Sequence, residues 1–123
     1  MTKNVEIDWF AEPEGHDYSA AHSYLSLIYK GKVCNEIVKK LRKKDHREFK
    51  AKDIFRASGL SLLGVSNNHV NKDQKKIREG HKLSPILLVR DPINGKVIIA
   101  DGYHRLCAVY SFDEDAIIPC KIV

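Results

Sequence analysis

A strand, a glycine and the start of a helix meet near the end of the chain, in the run Asp101-Gly102-Tyr103-His104-Arg105. Such a junction turns backbone N–H groups and the positive end of a helix dipole towards one point, where an anion such as phosphate binds. Gly102 allows a tight turn beside a ligand, Arg105 can grip phosphate through two parallel hydrogen bonds, and His104 can move a proton. We therefore predict a phosphate or nucleotide site that includes Tyr103, with Asp101 or His104 handling a proton or organising Mg²⁺.

A purely structural interpretation of the same run is also open. Asp101 can be an ordinary helix N-cap and Gly102 an ordinary turn, since one glycine between a strand and a helix is common. His104 and Arg105 are then exposed residues of a first helical turn. Only the surroundings of the run can separate these two interpretations.

A second candidate segment is the helix predicted over residues 69–80. His69, Lys72 and Lys76 are spaced i, i+3, i+7, so a helix places all three on one face, where they can donate hydrogen bonds to an anion. Lys75 competes for the same role. The other interpretation is a solvated lysine face on an amphipathic helix, and the spacing alone leaves both open.

The order of these elements resembles the ParB/sulfiredoxin superfamily over residues 47–123. In this resemblance Leu83–Val89 contains Pro-Ile followed by an apolar strand. A hairpin, the loop Asp101–Arg105 and a helix come next. The last strand, Ile117–Val123, begins near an Ile-Pro. Sulfiredoxins bind ATP at that loop, ParB partition proteins bind CTP there, and some archaeal relatives are free-serine kinases. The resemblance implies an α+β domain that binds a nucleotide.

The resemblance also implies how the nucleotide is held. The phosphates of a nucleoside di- or triphosphate with Mg²⁺ would lie at Asp101–Arg105, and the helix contacts of sulfiredoxin fall by position on His69, Lys72 and Lys76. Whether the domain also acts as a phosphohydrolase or phosphotransferase is left open by the sequence. Tyr103 stands where sulfiredoxins have their cysteine, so sulfinic-acid reduction is not expected. No residues remain for the helix-turn-helix that follows this domain in ParB proteins, and sequence-specific operator binding is not expected either.

Length and composition predict one domain with a single core, because 123 residues of which 43% are hydrophobic are too few for two good cores. We divide it into an irregular acidic arm (1–16), an added pair of helices (17–46) and the core (47–123). The arm either docks on the chain's own basic helix or on a partner, or is a frayed terminus.

The added pair is predicted from helical periodicity. Asp17 is the expected N-cap of a helix over 18–30, whose buried face would include Ala21, Tyr24, Leu25 and Ile28. Gly31 interrupts it, and a second helix continues to about Lys44.

The core is predicted from strand patterns. A strand over 47–51, a helical turn over 52–57 ending at Gly59 and a loop over 60–68 punctuated by Gly64 precede the helix of residues 69–80. Strands 85–90 and 96–101 form a hairpin through Asn-Gly, and their continuous apolar runs predict a sheet with little solvent on either face.

Positive charge is concentrated in one segment. The formal net charge is +5, whereas Lys30–Arg56 alone has eleven Lys or Arg against four Asp or Glu, a local net of +7. The alternative function is therefore a non-catalytic module that binds nucleic acid nonspecifically, or an acidic protein partner, through Lys39, Lys40, Lys43 and Lys44. A solvated lysine face explains the same charges.

The cysteines indicate a reducing compartment. Cys34, Cys107 and Cys120 are odd in number, far apart and without a C-x-x-C pair, so we expect three buried thiols and no disulfide. No signal peptide and no run long enough to span a bilayer is recognised. We expect a cytoplasmic protein without a membrane partner.

Overall fold

The computed structural model describes residues 6–63 and 67–123, which form an α+β domain. The strands are β1 (Arg47–Lys50), β2 (Ile86–Asp91), β3 (Lys96–Asp101) and β4 (Ile117–Ile122). The helices are α1 (Gly15–Leu25), α2 (Gly31–Lys43), α3 (Ala51–Ser58), α4 (Asn68–Arg78) and α5 (Tyr103–Phe112). Among these described residues, no helix is both long and apolar enough to cross a bilayer.

The sheet is mixed, with strand order β1-β4-β2-β3. Strands β2 and β3 form the predicted antiparallel hairpin, and Gly95 at its turn has a φ of 65°, which glycine adopts without steric cost. The last strand, β4, enters between β1 and β2, antiparallel to β1 and parallel to β2. The chain therefore runs from β3 through the following loop and α5 into β4, which lies in the middle of the sheet.

Both faces of the sheet are covered by helices, as the continuous apolar runs predicted. Alternate side chains of β2 point to opposite faces. One face packs with the helices α3, α4 and α5 in a core that includes Ile86, Leu88 and Ile99. The other packs with α1 and α2 in a core that includes Leu87 and Val89. The added helical pair is therefore part of the same domain and supplies the cover of one sheet face.

The first helix begins and ends earlier than expected. It starts at Gly15 with Glu14 as N-cap, whereas Asp17 was predicted to be the cap. Asp17 is instead the third helical residue, and its side chain accepts a hydrogen bond from the Glu14 amide at 2.8 Å. Its carboxylate is thereby drawn inwards, and Asp17 is only 2% exposed. The helix ends at Leu25, whose carbonyl accepts from the Ile28 and Tyr29 amides in the turn that follows.

The predicted buried face of α1 is correct for only two of its four residues. Ala21 and Leu25 are fully buried, but Tyr24 and Ile28 are 44% and 48% exposed. In α2, Cys34, Val38 and Leu41 are buried, on successive turns of the helix.

The acidic arm, described from Glu6 onwards, docks on its own chain. Phe10 donates to the Leu83 carbonyl at 2.8 Å, and the Leu83 amide donates to the Asp8 carbonyl at 2.9 Å. Trp9 forms a parallel bridge with Leu83, directly before β2. These contacts lie at the segment that precedes β2, and Glu12 of the arm also pairs with Lys121 on β4 at 2.9 Å.

The remaining elements follow the predicted order with small changes in length. The expected helical turn at 52–57 is the full helix α3, which ends at Gly59 with a φ of 68°. In the loop expected over 60–68, Asn67 caps α4 by accepting from the His69 and Val70 amides. Gly64, the other residue expected to punctuate this loop, lies outside the described residues. The cysteines Cys34, Cys107 and Cys120 are free and buried, as expected.

Candidate functional site

The two segments singled out in the sequence face one cavity of about 240 Å³. Helix α4 forms one wall, and the loop after β3 with the first turn of α5 forms the other. Every residue predicted to contact a nucleotide lies in this lining, whereas the four α2 lysines do not. The cavity is lined by His69, Lys72, Asp73, Lys76, Asp101, Gly102, Tyr103, His104 and Arg105.

The turn into α5 depends on the absence of a side chain at Gly102. Gly102 is the N-cap of α5 and has a φ of 112°, a conformation that residues with a Cβ rarely adopt. A Cβ built there would lie 2.8 Å from Ile86 Cγ1 and 3.0 Å from Arg105 Nη2. The loop is thus pressed against the start of β2. The first amides of α5, which an α-helix leaves without intrahelical partners, belong to the cavity-lining residues 103–105.

The guanidinium of Arg105 forms hydrogen bonds and ion pairs with other residues of the chain. Its Nε donates to the Ser84 carbonyl at 3.0 Å, and its Nη2 donates to the Pro85 carbonyl at 3.2 Å and to Asp101 Oδ2 at 3.1 Å. Its Nη1 lies 3.8 Å from Asp17 Oδ1 on α1. Protein oxygens already engage the Nε and Nη2 donors, so a two-pronged grip on phosphate would require Arg105 to give up some of these contacts, and the grip stays a prediction. Arg105 still contributes positive charge to the cavity that it lines.

Asp101 is held in the same network. Burial raises the pKa of its carboxyl to about 6, and the neighbouring Arg105 opposes that rise while Asp17 adds to it. Such a group carries a proton part of the time near neutral pH. The second interpretation of Asp101, an N-cap, does not hold, since Gly102 occupies the cap position.

The rings of His69 and His104 lie together across the cavity, with their centroids 4.8 Å apart. Burial is the main cause that lowers the pKa of His104, and the nearby His69 lowers it further. His104 is therefore a neutral imidazole at pH 7, which can accept a proton from a reacting group.

Asp73 is the cavity residue that the sequence interpretation missed. It is half-buried on α4, and burial raises its pKa against the opposing effect of Lys76, Arg105 and His104. Its spacing from His69 is i+4, so the helical face that selected the lysines contains it as well. The same spacing that predicted a basic face on this helix therefore also predicts a carboxylate on it.

Tyr103 connects the cavity to the segment before α4. Its hydroxyl donates a hydrogen bond to the Ser61 carbonyl. Its ring also lies beside that of His104, with the centroids 5.6 Å apart. Tyr103 therefore orders the wall of the cavity by contacts on both sides.

Comparison of the chain with family models, curated proteins and solved structures finds no match. The resemblance to the ParB/sulfiredoxin superfamily consequently rests on the order and spacing of the motifs themselves.

Replacing Gly102 with alanine should lower the free energy of unfolding by about 2 kcal/mol or more, because backbone strain and a clash with Ile86 act together. Urea denaturation measures the change. Gly31→Ala is the matched control, since a Cβ at the start of α2 meets nothing within 4 Å. Equal stabilities for the two variants would show that the loop does not need its close approach to β2.

Proposed function

We propose that the chain is a nucleotide-binding domain of the ParB/sulfiredoxin-like type, located in the cytoplasm. The cavity between α4 and the start of α5 would hold the phosphates of a nucleoside di- or triphosphate such as ATP or CTP. The observation that carries this proposal is that two segments chosen separately from the sequence line one cavity. Their chemistry is suited to the same ligand group.

The charges around the cavity favour an anion. Lys72, Lys76 and Arg105 supply three cations against the two carboxylates of Asp73 and Asp101. Both lysines are exposed, so their ammonium groups can reach a ligand without breaking a buried contact. The N-terminus of α5 adds its dipole and its first amides, an arrangement that binds phosphate groups in many proteins.

The cavity also suits a magnesium-bound nucleotide. Mg²⁺ prefers carboxylate oxygens and phosphate oxygens as ligands. Asp101 is paired with Arg105 at 3.1 Å, whereas Asp73 lines the cavity from α4. We therefore assign Asp73, and not Asp101, as the residue that would hold the ion. Bound there, the ion would neutralise phosphate charge.

A phosphohydrolase or phosphotransferase activity is a further part of the proposal. His104, neutral at pH 7, is the group suited to accept the proton of an attacking water or hydroxyl. Lys72 and Lys76 would stabilise the negative charge on the transferred phosphoryl group. Asp101 would act by keeping Arg105 in place.

Replacing either Lys72 or Lys76 with alanine should weaken nucleotide binding by about ten- to a hundredfold, the usual effect of losing a charged hydrogen-bonding partner. Calorimetric titration with the four common nucleoside triphosphates and Mg²⁺ measures it. Lys75→Ala is the control, because Lys75 is an exposed neighbour on α4 outside this cavity. The proposal fails if the parent binds none of the four, or if Lys75→Ala loses as much affinity as the other two. Arg105→Ala would be a poorer probe, since it also removes contacts within the fold.

The outer face of α2 supports a second candidate function. Val38 and Leu41 are buried, and the residues between and after them are exposed and basic. This surface would bind nucleic acid nonspecifically through its phosphates. The exposed lysines in question are Lys39, Lys40, Lys43 and Lys44.

Reversing all four α2 lysines to glutamate should abolish binding of a short DNA duplex and leave nucleotide affinity unchanged, since these residues do not line the α4–α5 cavity. Fluorescence anisotropy at two salt concentrations measures the duplex affinity, which should fall steeply with salt in the parent. A parent that does not bind the duplex has a merely solvated lysine face. Loss of nucleotide affinity in a folded variant would show that the two surfaces are not separate.

A further inference from the structure

A second cavity, of about 370 Å³, adjoins the phosphate cavity along residues 101–104, which line both. Its other walls come from α1, from the segment after α3 and from the end of β3. The N-terminus of α5 therefore borders both cavities. Besides the shared residues, this cavity is lined by Ala20, Tyr24, Leu60, Ile99 and Ala100.

The chemistry of this second cavity differs from that of the first. Apart from the shared residues, the described residues of its lining are apolar or aromatic, and none of these described residues is a lysine or arginine. Tyr24 and Leu60 are two of the large hydrophobic residues that stay exposed, at 44% and 46%. A flat aromatic ring would cover this surface, and aromatic rings pack well against a tyrosine face. The volume lies within the range of small-molecule sites.

We propose that this cavity binds the base of the nucleotide whose phosphates lie at the N-terminus of α5. The inference rests on the proposed nucleotide-binding function and names the part of the ligand that each cavity takes. The phosphates are held by the cations of α4 and by α5, while Tyr24 on α1 packs against the base. The added helix α1 thus has a binding role besides covering the sheet.

The position of Tyr24 supports this role. Its neighbours Ala21 and Leu25 are fully buried in the core beneath α1, so the helix is firmly seated. Tyr24 itself is not one of the buried residues of that core, and it is 44% exposed. Its ring is therefore free to contact a ligand and is held on a fixed helix.

The test compares a nucleoside triphosphate with inorganic tripolyphosphate, which lacks the base. Tyr24→Ala should weaken binding of the best of the four nucleoside triphosphates by roughly 5- to 100-fold, the effect of losing a base–aromatic stack. It should leave tripolyphosphate affinity unchanged. Tyr24→Phe should bind like the parent, and so should Leu27→Ala, which removes an exposed apolar residue that does not line the cavity.

Filling the cavity provides a second, independent variant. Ala20 is exposed on α1, so Ala20→Leu should leave the fold intact while it occupies the space of the base. Like Tyr24→Ala, it should weaken binding of the nucleoside triphosphate and leave the affinity for tripolyphosphate unchanged. Calorimetry measures both ligands, and circular dichroism checks that each variant is folded.

The outcomes separate this inference from the proposed function. If the parent binds neither ligand, the nucleotide-binding function itself is wrong. If the parent binds both, but Tyr24→Ala and Ala20→Leu leave nucleoside triphosphate affinity unchanged or reduce tripolyphosphate affinity equally, the base lies elsewhere and only the inference is overturned.

Discussion

The interactions of the Arg105 guanidinium hold the candidate site together. Its donors reach the Ser84 and Pro85 carbonyls, directly before β2, and the Asp101 carboxylate at the end of β3. A partly buried charge of this kind is tolerated because it is hydrogen-bonded and paired with Asp101. The loop from Asp101 to Arg105 is thereby fastened to the central strands on one side, and the glycine at position 102 permits the close approach. The first turn of α5 is fixed in direction as a result.

This arrangement separates the residues that hold the site from those that can meet a ligand. Arg105 and Asp101 satisfy each other, while Lys72, Lys76 and Asp73 extend from α4 towards the same cavity. Asp17 joins the first group from α1, 3.8 Å from Arg105. Helix α1, which precedes the core of residues 47–123, is therefore connected to the loop by charge as well as by apolar packing. A structural change in α1 should alter the position of the start of α5.

The order of the elements could be predicted from the sequence because each element has a local sequence pattern. The continuous apolar runs of β2 and β3 and the Asn-Gly between them indicated a hairpin covered on both faces, and the i, i+3, i+7 spacing on α4 indicated its basic face. The partners of Arg105 could not be predicted, since Ser84 and Asp17 are distant in the chain and meet it only after folding. Asp17 was assigned as the cap because it precedes the apolar periodicity, whereas its carboxylate accepts from the Glu14 amide as the third helical residue. The exposure of Tyr24 was not predicted because the buried side of α1 is the one that contains Tyr18, Ala21 and Leu25.

The claim that nucleotide phosphates bind at the N-terminus of α5 is tested most directly by amide chemical shifts. Spectra of ¹⁵N-labelled protein would be recorded during titration with each nucleoside triphosphate and Mg²⁺. The account predicts that the largest shifts occur at the amides of residues 102–105, with smaller ones along the cavity face of α4 and none along α2. Saturation with a bound nucleotide while the amides of residues 103–105 stay unshifted, or shifts confined to α2, would contradict it.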